Sequence, residues 1–333
     1  MTQSRANGLQ SQNKEEAHSQ GITQNNTEDR SSNTGQEVFS CKEKYELPFE
    51  KYIKALRPWS FSASIVPVIL GTVIAWKETH NLSIVSALLA CISILTVHGA
   101  GNLVNTYYDF IRGIDSKESD DKTLVNKVLQ PDEVVRFGVG IYIIGCLAFL
   151  GTLLTCPARV DHLALLFFAG MSGSFLYTGS IGLKYYALGD LVIILTFGPI
   201  SVLYAYLVQC HHLSISPLLY AIPLVMNTEA ILHSNNTRDI KADLQANVLT
   251  LAIMLGFKLS YLLYCVLVFV PYLIMLLFVM HISVLFVLPM LTIKMALNLE
   301  KDFRFKRLTF IAQNTAKLNL LFGLLYVVAF ALS

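Results

Sequence analysis

From Leu56 to the C-terminus, apolar runs of about 20 residues alternate with short polar connections, the pattern of a chain that crosses a bilayer repeatedly. In hydrocarbon every backbone N–H and C=O must find its partner inside the protein, so runs of this length fold as helices. The runs fall near residues 60–76, 83–108, 134–155, 161–179, 186–208, 215–236, 257–279, 282–298 and 316–332. They predict an all-α polytopic membrane protein, a bundle of nine transmembrane helices. Pro271 and Pro289 would kink or break helices between 248 and 300, which leaves eight spans as the alternative. Only 14% of the 333 residues are charged, against roughly 25% in soluble domains, so a soluble fold is excluded.

Residues 1–45 are rich in Ser, Gln, Asn, Thr and Glu and nearly devoid of large apolar side chains. Such a segment cannot bury enough surface to offset its ordering entropy, and it is expected to be a disordered tail, with residues 46–333 forming the membrane domain. The segment has no apolar signal region, and Glu15, Glu16, Glu28 and Asp29 argue against a mitochondrial transit peptide. The loops after spans 2, 4, 6 and 8 carry Arg112, Lys117, Lys122, Lys127, Lys184, Arg238, Lys241, Lys301, Arg304, Lys306 and Arg307, while the opposite loops carry only Lys77 and Arg159. The positive-inside rule then puts the N-terminus on the cytoplasmic side. The net charge of +2 is too small to suggest nucleic acid as a partner. Six scattered cysteines without a CxxC are read as reduced packing residues, and His211-His212 as solvated loop.

Two acidic segments stand at the cytoplasmic ends of spans 2 and 6. Asn102, Asn105 and Asp109 lie at i, i+3 and i+7 on one helix face, with Asp115 beyond Gly113, where the chain can leave the helix and curl back. Asn235, Asp239 and Asp243 repeat the stripe at i, i+4 and i+8. Carboxylates so close to lipid are expensive and mark functional sites. Two stripes four helices apart suggest a duplicated architecture whose equivalent motifs face one cavity. So many acids cannot all stay ionised in a partly dry pocket without a cation. Oxygen donors without His or Cys suit Mg²⁺ or Ca²⁺, and Mg²⁺ usually combines one or two carboxylates with waters and substrate phosphates. The pair therefore resembles a clamp for two Mg²⁺ ions bridging to a diphosphate, with Lys184 and Arg238 holding further phosphate oxygens. Asp120, Asp121 and Lys117 are read as solvated loop, and His98 and His233 as histidines satisfied by a helix neighbour.

Asn105-x3-Asp109-x5-Asp115 and Asp239-x3-Asp243 resemble the two Asp-rich motifs of the UbiA superfamily of intramembrane prenyltransferases. The blocks beginning Leu56-Arg-Pro-Trp-Ser, His98-Gly-Ala-Gly-Asn, Gly173-Ser-Phe-Leu-Tyr and Ala187-Leu-Gly-Asp, and Thr228 to Asp239, are similar to its animal menaquinone-4-synthesising branch, from about residue 50 to the end. The resemblance implies a nine-helix UbiA-type bundle whose central cavity is capped by cytoplasmic loops. It also implies Mg²⁺-dependent transfer of an isoprenyl group, geranylgeranyl in that branch, from its diphosphate to a naphthoquinone. By position, Asn105, Asp109 and Asp115 would serve one Mg²⁺, and Asp239 and Asp243 the other. Tyr177 and Lys184 would lie near the diphosphate and the reacting carbon, and Arg57, Asn102, Asn235 and Arg238 would complete substrate binding. Ser180 departs from the pattern, which has glycine there. The branch further implies an endoplasmic reticulum or Golgi membrane, with a mitochondrial membrane the alternative, and association with HMG-CoA reductase.

Three other readings fit parts of the pattern. An enzyme of the same type with another acceptor, such as 4-hydroxybenzoate, would share every motif. A transporter would place its coupling carboxylates near the bilayer midplane, not at one set of helix ends. A lipid-sensing scaffold would not need intact acidic stripes.

Overall fold

The computed structural model describes residues 49–115 and 121–333. The expected tail over residues 1–45, and Lys117 and Asp120, lie outside these residues. Helices dominate: α1 (Glu50–Ala55), α2 (Ser62–Thr79), α3 (Ile84–Ile111), α4 (Pro131–Thr155), α5 (Val160–Leu176), α6 (Gly189–Leu195), α7 (Ser201–Cys210), α8 (Ser216–Gln245), α9 (Leu251–His281), α10 (Ile293–Arg304) and α11 (Ile311–Leu332). Among the described residues six helical rods are long and apolar enough to cross a membrane, α6 and α7 counting as one. The expected nine crossings exceed those six: α5 has 17 residues, and the long α8 carries the second acidic stripe.

Local chemistry sets the helix ends. Ser83 caps α3 by accepting from the Ser86 amide, and Pro131 occupies the first turn of α4, where the missing N–H costs nothing. Glu133 folds back to accept from the Gln130 amide at 2.7 Å. Large apolar side chains such as Leu154, Leu165 and Leu273 point outward, as a lipid-facing surface requires. Inside, Tyr264 of α9 stacks on Phe303 of α10 with ring centroids 4.3 Å apart, and Phe322 and Tyr326 of α11 are fully buried beside them.

Three local departures from regular helix have identifiable causes. α9 runs through Pro271; its kink is instead at Gly256, whose φ of 67° only glycine adopts cheaply. The expected helix over 282–298 is a 3₁₀ segment, Val284–Thr292, followed by α10, because Pro289 withdraws a donor. Between α6 and α7 lies one π turn, Thr196–Ile200, containing Pro199, with Ser201 Oγ donating to the Thr196 carbonyl at 2.6 Å. Such π turns gather at functional sites, and Phe197 within this one projects into the cavity described next.

Candidate active site

α3 delivers its acidic stripe from a single face. Asn105 and Asp109 are both buried, 9% and 4% exposed, at a depth where an isolated carboxylate would be unaffordable. Three donors satisfy Asp109: Asn105 Nδ2 one turn earlier, Lys184 Nζ at 2.6 Å and Tyr185 Oη at 2.8 Å. Lys184 and Tyr185 come from a 3₁₀ turn, Leu183–Tyr185, between α5 and α6, and the Lys184 amide bonds the Tyr177 carbonyl at 2.8 Å. Helix α3 ends at Gly113, with φ 71°, and the amides of Ile114 and Asp115 turn back to the Asp109 carbonyl at 2.9 and 3.3 Å. Asp115 thus returns toward the stripe as the glycine suggested.

Asp121 corrects the sequence reading, which left it in a solvated loop. Its side chain is 8% exposed and ion-paired to Arg57 at 2.6 Å, and it also accepts from Thr106 Oγ1 and, at 2.9 Å, from the Thr123 amide. Burial pushes this carboxyl up, but the Arg57 charge and these donors outweigh burial and hold it below the usual carboxylate range. Arg57 sits in the left-handed region at φ 52°, a conformation costing a non-glycine residue about 1–2 kcal/mol, which the Asp121 pair and the Ser60 hydroxyl on its carbonyl help to hold. Asp115 is shifted the other way. Burial first, then the charges of Asp109 and Asp121, raise it to about 7.

The second stripe, on α8, is organised by its own neighbours. Arg238 grips Asp239 through Nε and a terminal nitrogen, both at 2.7 Å, and donates to Asn235 Oδ1 at 2.8 Å; Asn235 in turn donates to Asp239 at 3.3 Å. Asp243, two helical turns beyond Asn235, is 6% exposed and within electrostatic reach of Lys184, Asp239 and Asp109. Lys184 therefore lies between the two stripes.

All eleven residues singled out from the sequence (Arg57, Asn102, Asn105, Asp109, Asp115, Tyr177, Lys184, Asn235, Arg238, Asp239 and Asp243) line one cavity of about 1140 Å³. Asp121 and His98 line it too, and the sequence reading had set both aside. His98 is satisfied, by Ser64 at 2.7 Å and Ser60 at 3.2 Å, yet its ring packs against Phe197 and forms cavity wall. A smaller, mostly apolar pocket of about 120 Å³ between α3, α5 and the α6–α7 rod shares His98, Asn102, Asn105, Tyr177, Ile193 and Phe197 with the first. The polar chamber thus continues into an apolar one. Thr106, Thr123 and Tyr185 escaped the sequence reading because hydroxyls and amides beside an acid carry no spacing signal of their own.

Two loops at the mouth are joined through their main chains. The Ala187 amide donates to the Leu249 carbonyl at 2.7 Å, and the Leu249 amide to the Tyr185 carbonyl at 3.2 Å. The turn that carries Lys184 is thereby fastened to the α8–α9 connection.

The model of the UbiA prenyltransferase family matches residues 64–331. The chain is 52% identical to human UbiA prenyltransferase domain-containing protein 1, covering 86% of this chain and 87% of that one. Its identity to the Drosophila melanogaster homolog is 49%, over 85% and 80%. In structure it is similar to a UbiA homolog from Aeropyrum pernix K1, with TM-score 0.62 and 13% identity over 82% and 98% of the two chains. It is also similar to an Archaeoglobus fulgidus UbiA homolog bound to GPP and Mg²⁺, with TM-score 0.54 and 12% identity over 84% and 99%. With the family model spanning nearly the whole membrane domain, the chain belongs to the UbiA prenyltransferase family and is a multi-pass membrane prenyltransferase.

Proposed function

We propose that the protein transfers a geranylgeranyl group from its diphosphate to a reduced naphthoquinone, giving menaquinone-4, with the diphosphate held at the polar mouth and the prenyl chain in the apolar pocket. The observation that carries this reading is the arrangement of charge around one cavity. Arg57, Lys184 and Arg238 each already hold a carboxylate there, Asp121, Asp109 and Asp239 respectively, at 2.6 to 2.7 Å. A site so built can exchange partners: Lys184 and Arg238 would turn from carboxylate to phosphate oxygens, freeing Asp109 and Asp239 to hold a metal, beside the Arg57–Asp121 pair.

The donor set fits Mg²⁺. It consists of hard oxygen atoms, and Asp115, raised to about 7, marks a crowd of acids short of positive charge. Asn105, Asp109 and Asp115 would hold one ion, and Asp239 and Asp243 a second. Bound there, Mg²⁺ supplies neutralisation of the negative charge that grows on the departing diphosphate. The chain's own groups do the rest. Lys184 and Arg238 steady the leaving oxygens, Tyr177 and Phe197 wall the reacting carbon from water, and His98 borders the space left for the acceptor. An electron-rich ring carbon attacks as the C–O bond breaks, and its proton leaves to restore aromaticity. The Lys/Arg bias of the loops supports a cytosolic mouth. Residence in endoplasmic reticulum or Golgi membranes, and association with HMG-CoA reductase, belong to the same reading and rest on the resemblance of the motif blocks.

Mass spectrometry of quinones made by the purified protein tests the reading. Geranylgeranyl diphosphate, menadiol and Mg²⁺ should yield menaquinone-4, and exhaustive chelation should abolish it. Prenylated 4-hydroxybenzoate with no prenylnaphthoquinone would replace this acceptor with another. Undiminished turnover after chelation would remove the metal.

A further inference from the structure

Behind the cavity wall, outside the set of residues lining it, Asp190, Glu229 and His233 bring two carboxylates and an imidazole nitrogen within 4.8 Å of one another. Asp190 belongs to the first turn of α6, and Glu229 and His233 sit at i and i+4 on one face of α8. All three are at least nine-tenths buried, with exposures of 7%, 4% and 0%. Yet Asp190 Oδ1, both Glu229 carboxylate oxygens and His233 Nδ1 have no hydrogen-bond partner among the described residues. The other ring nitrogen of His233 faces the Ser260 carbonyl at 3.1 Å. That carbonyl can only accept, so Nε2 carries the proton there, and Nδ1 is left without a partner in the buried space beside the carboxylates. The Asp190 and Glu229 carboxyls are close enough to share a proton, so acceptors converging in this closed interior need either that proton or a cation between them.

We propose that Asp190, Glu229 and His233 form a buried divalent-cation site, separate from the acidic stripes, that ties α6 to α8. One imidazole with two carboxylates is the donor set of a borderline ion such as Zn²⁺, in contrast to the all-oxygen Mg²⁺ chemistry of the stripes. Bonds of about 2.0–2.2 Å set tetrahedral donors roughly 3.3–3.6 Å apart, inside the 4.8 Å that bounds the present spacing. Its position gives the ion a structural role. Asp190 follows Lys184 by six residues, and His233 precedes Asn235 by two. An ion here sets the spacing between the lysine turn and the second acidic stripe from below.

Metal analysis of the full-length protein in lipid nanodiscs tests this without reference to turnover. After expression with zinc and dialysis to remove loosely held ions, plasma mass spectrometry should find one zinc per chain. The zinc should persist in Asp239→Asn and fall by about tenfold or more in Glu229→Gln and His233→Ala. Co²⁺ introduced in its place should show visible ligand-field bands, and a strong chelator should lower the thermal midpoint until zinc is restored. The wild-type measurement needs no variant to fold. Zinc below roughly a tenth of an equivalent in the wild type would overturn the site and leave a proton shared between the two carboxyls as the balancing charge. Retention of zinc in Glu229→Gln would overturn it equally.

Discussion

The two acidic stripes look alike as sequence and are held in place by opposite means. On α8, Asp239 is served by residues one and four positions away, Arg238 and Asn235, so the helix supplies its own partners. On α3, Asp109 depends on Lys184 and Tyr185, some 75 residues distant, and the neighbouring Asp121 depends on Arg57, 64 residues earlier. The pairs of the first stripe therefore assemble only when the segment after α1, α3 and the α5–α6 turn have docked, whereas the Asn235–Arg238–Asp239 set of the second forms with its helix. Long-range pairing makes the first stripe the point at which folding and activity become the same event.

That contrast predicts unequal sensitivity. Asp109→Asn should lower initial rates in nanodiscs by about 10³-fold, because it removes an oxygen of the proposed metal site and also releases Lys184 and Tyr185. Asp239→Asn should cost about 10²-fold. Equal losses, or the reverse order, would break the comparison. Next in size is Arg57→Ala, which leaves the nearly buried Asp121 carboxylate without its cation. It should cost about 3 kcal/mol in denaturant unfolding, with a smaller loss for Arg238→Ala on the self-sufficient helix. The Arg57–Asp121 contribution is present at neutral pH, above the ordinary carboxylate range, and is lost as pH falls through the depressed value of folded Asp121.

Asp115 has the opposite sign. Raised to about 7, it keeps its proton across a range in which an unfolded carboxyl has lost one, so metal-free stability declines from about pH 4 and levels off above 7. Below pH 7 a Mg²⁺ ion held by Asp115 would have to displace that proton. The half-saturating Mg²⁺ concentration should rise by up to about tenfold per pH unit of acidification, and Asp115→Asn should flatten the dependence. The smallest effect is at Ser180, a non-glycine residue that holds φ 53°. Ser180→Gly should relieve left-handed strain and raise unfolding stability by no more than about 1 kcal/mol, with activity unchanged.

The same contrast explains what could be read in advance. The helical class and the stripe on α8 follow from periodicities of a few residues, and those survive in a one-dimensional pattern. The Gly113 turn was legible for the same reason. Asp121 was not, since adjacency to Asp120 and Lys117 in a polar loop is what solvated residues also look like. Only the docking of Arg57 from another element buries it. Likewise nothing in Asp190, Glu229 and His233 taken singly distinguishes them, because their convergence is made by the packing of α6 on α8. The kink of α9 was misplaced onto Pro271 because proline's effect is local and visible, while Gly256 acts through a freedom that sequence does not display.

The bridge between Ala187 and Leu249 is built from peptide groups, so ordinary amino-acid exchange at those positions leaves it in place. Only a proline, by deleting an amide hydrogen, severs it. A displacement of either connection must therefore be shared by the other, and the coupling of the Lys184 turn to the α8–α9 connection is shielded from most mutational drift.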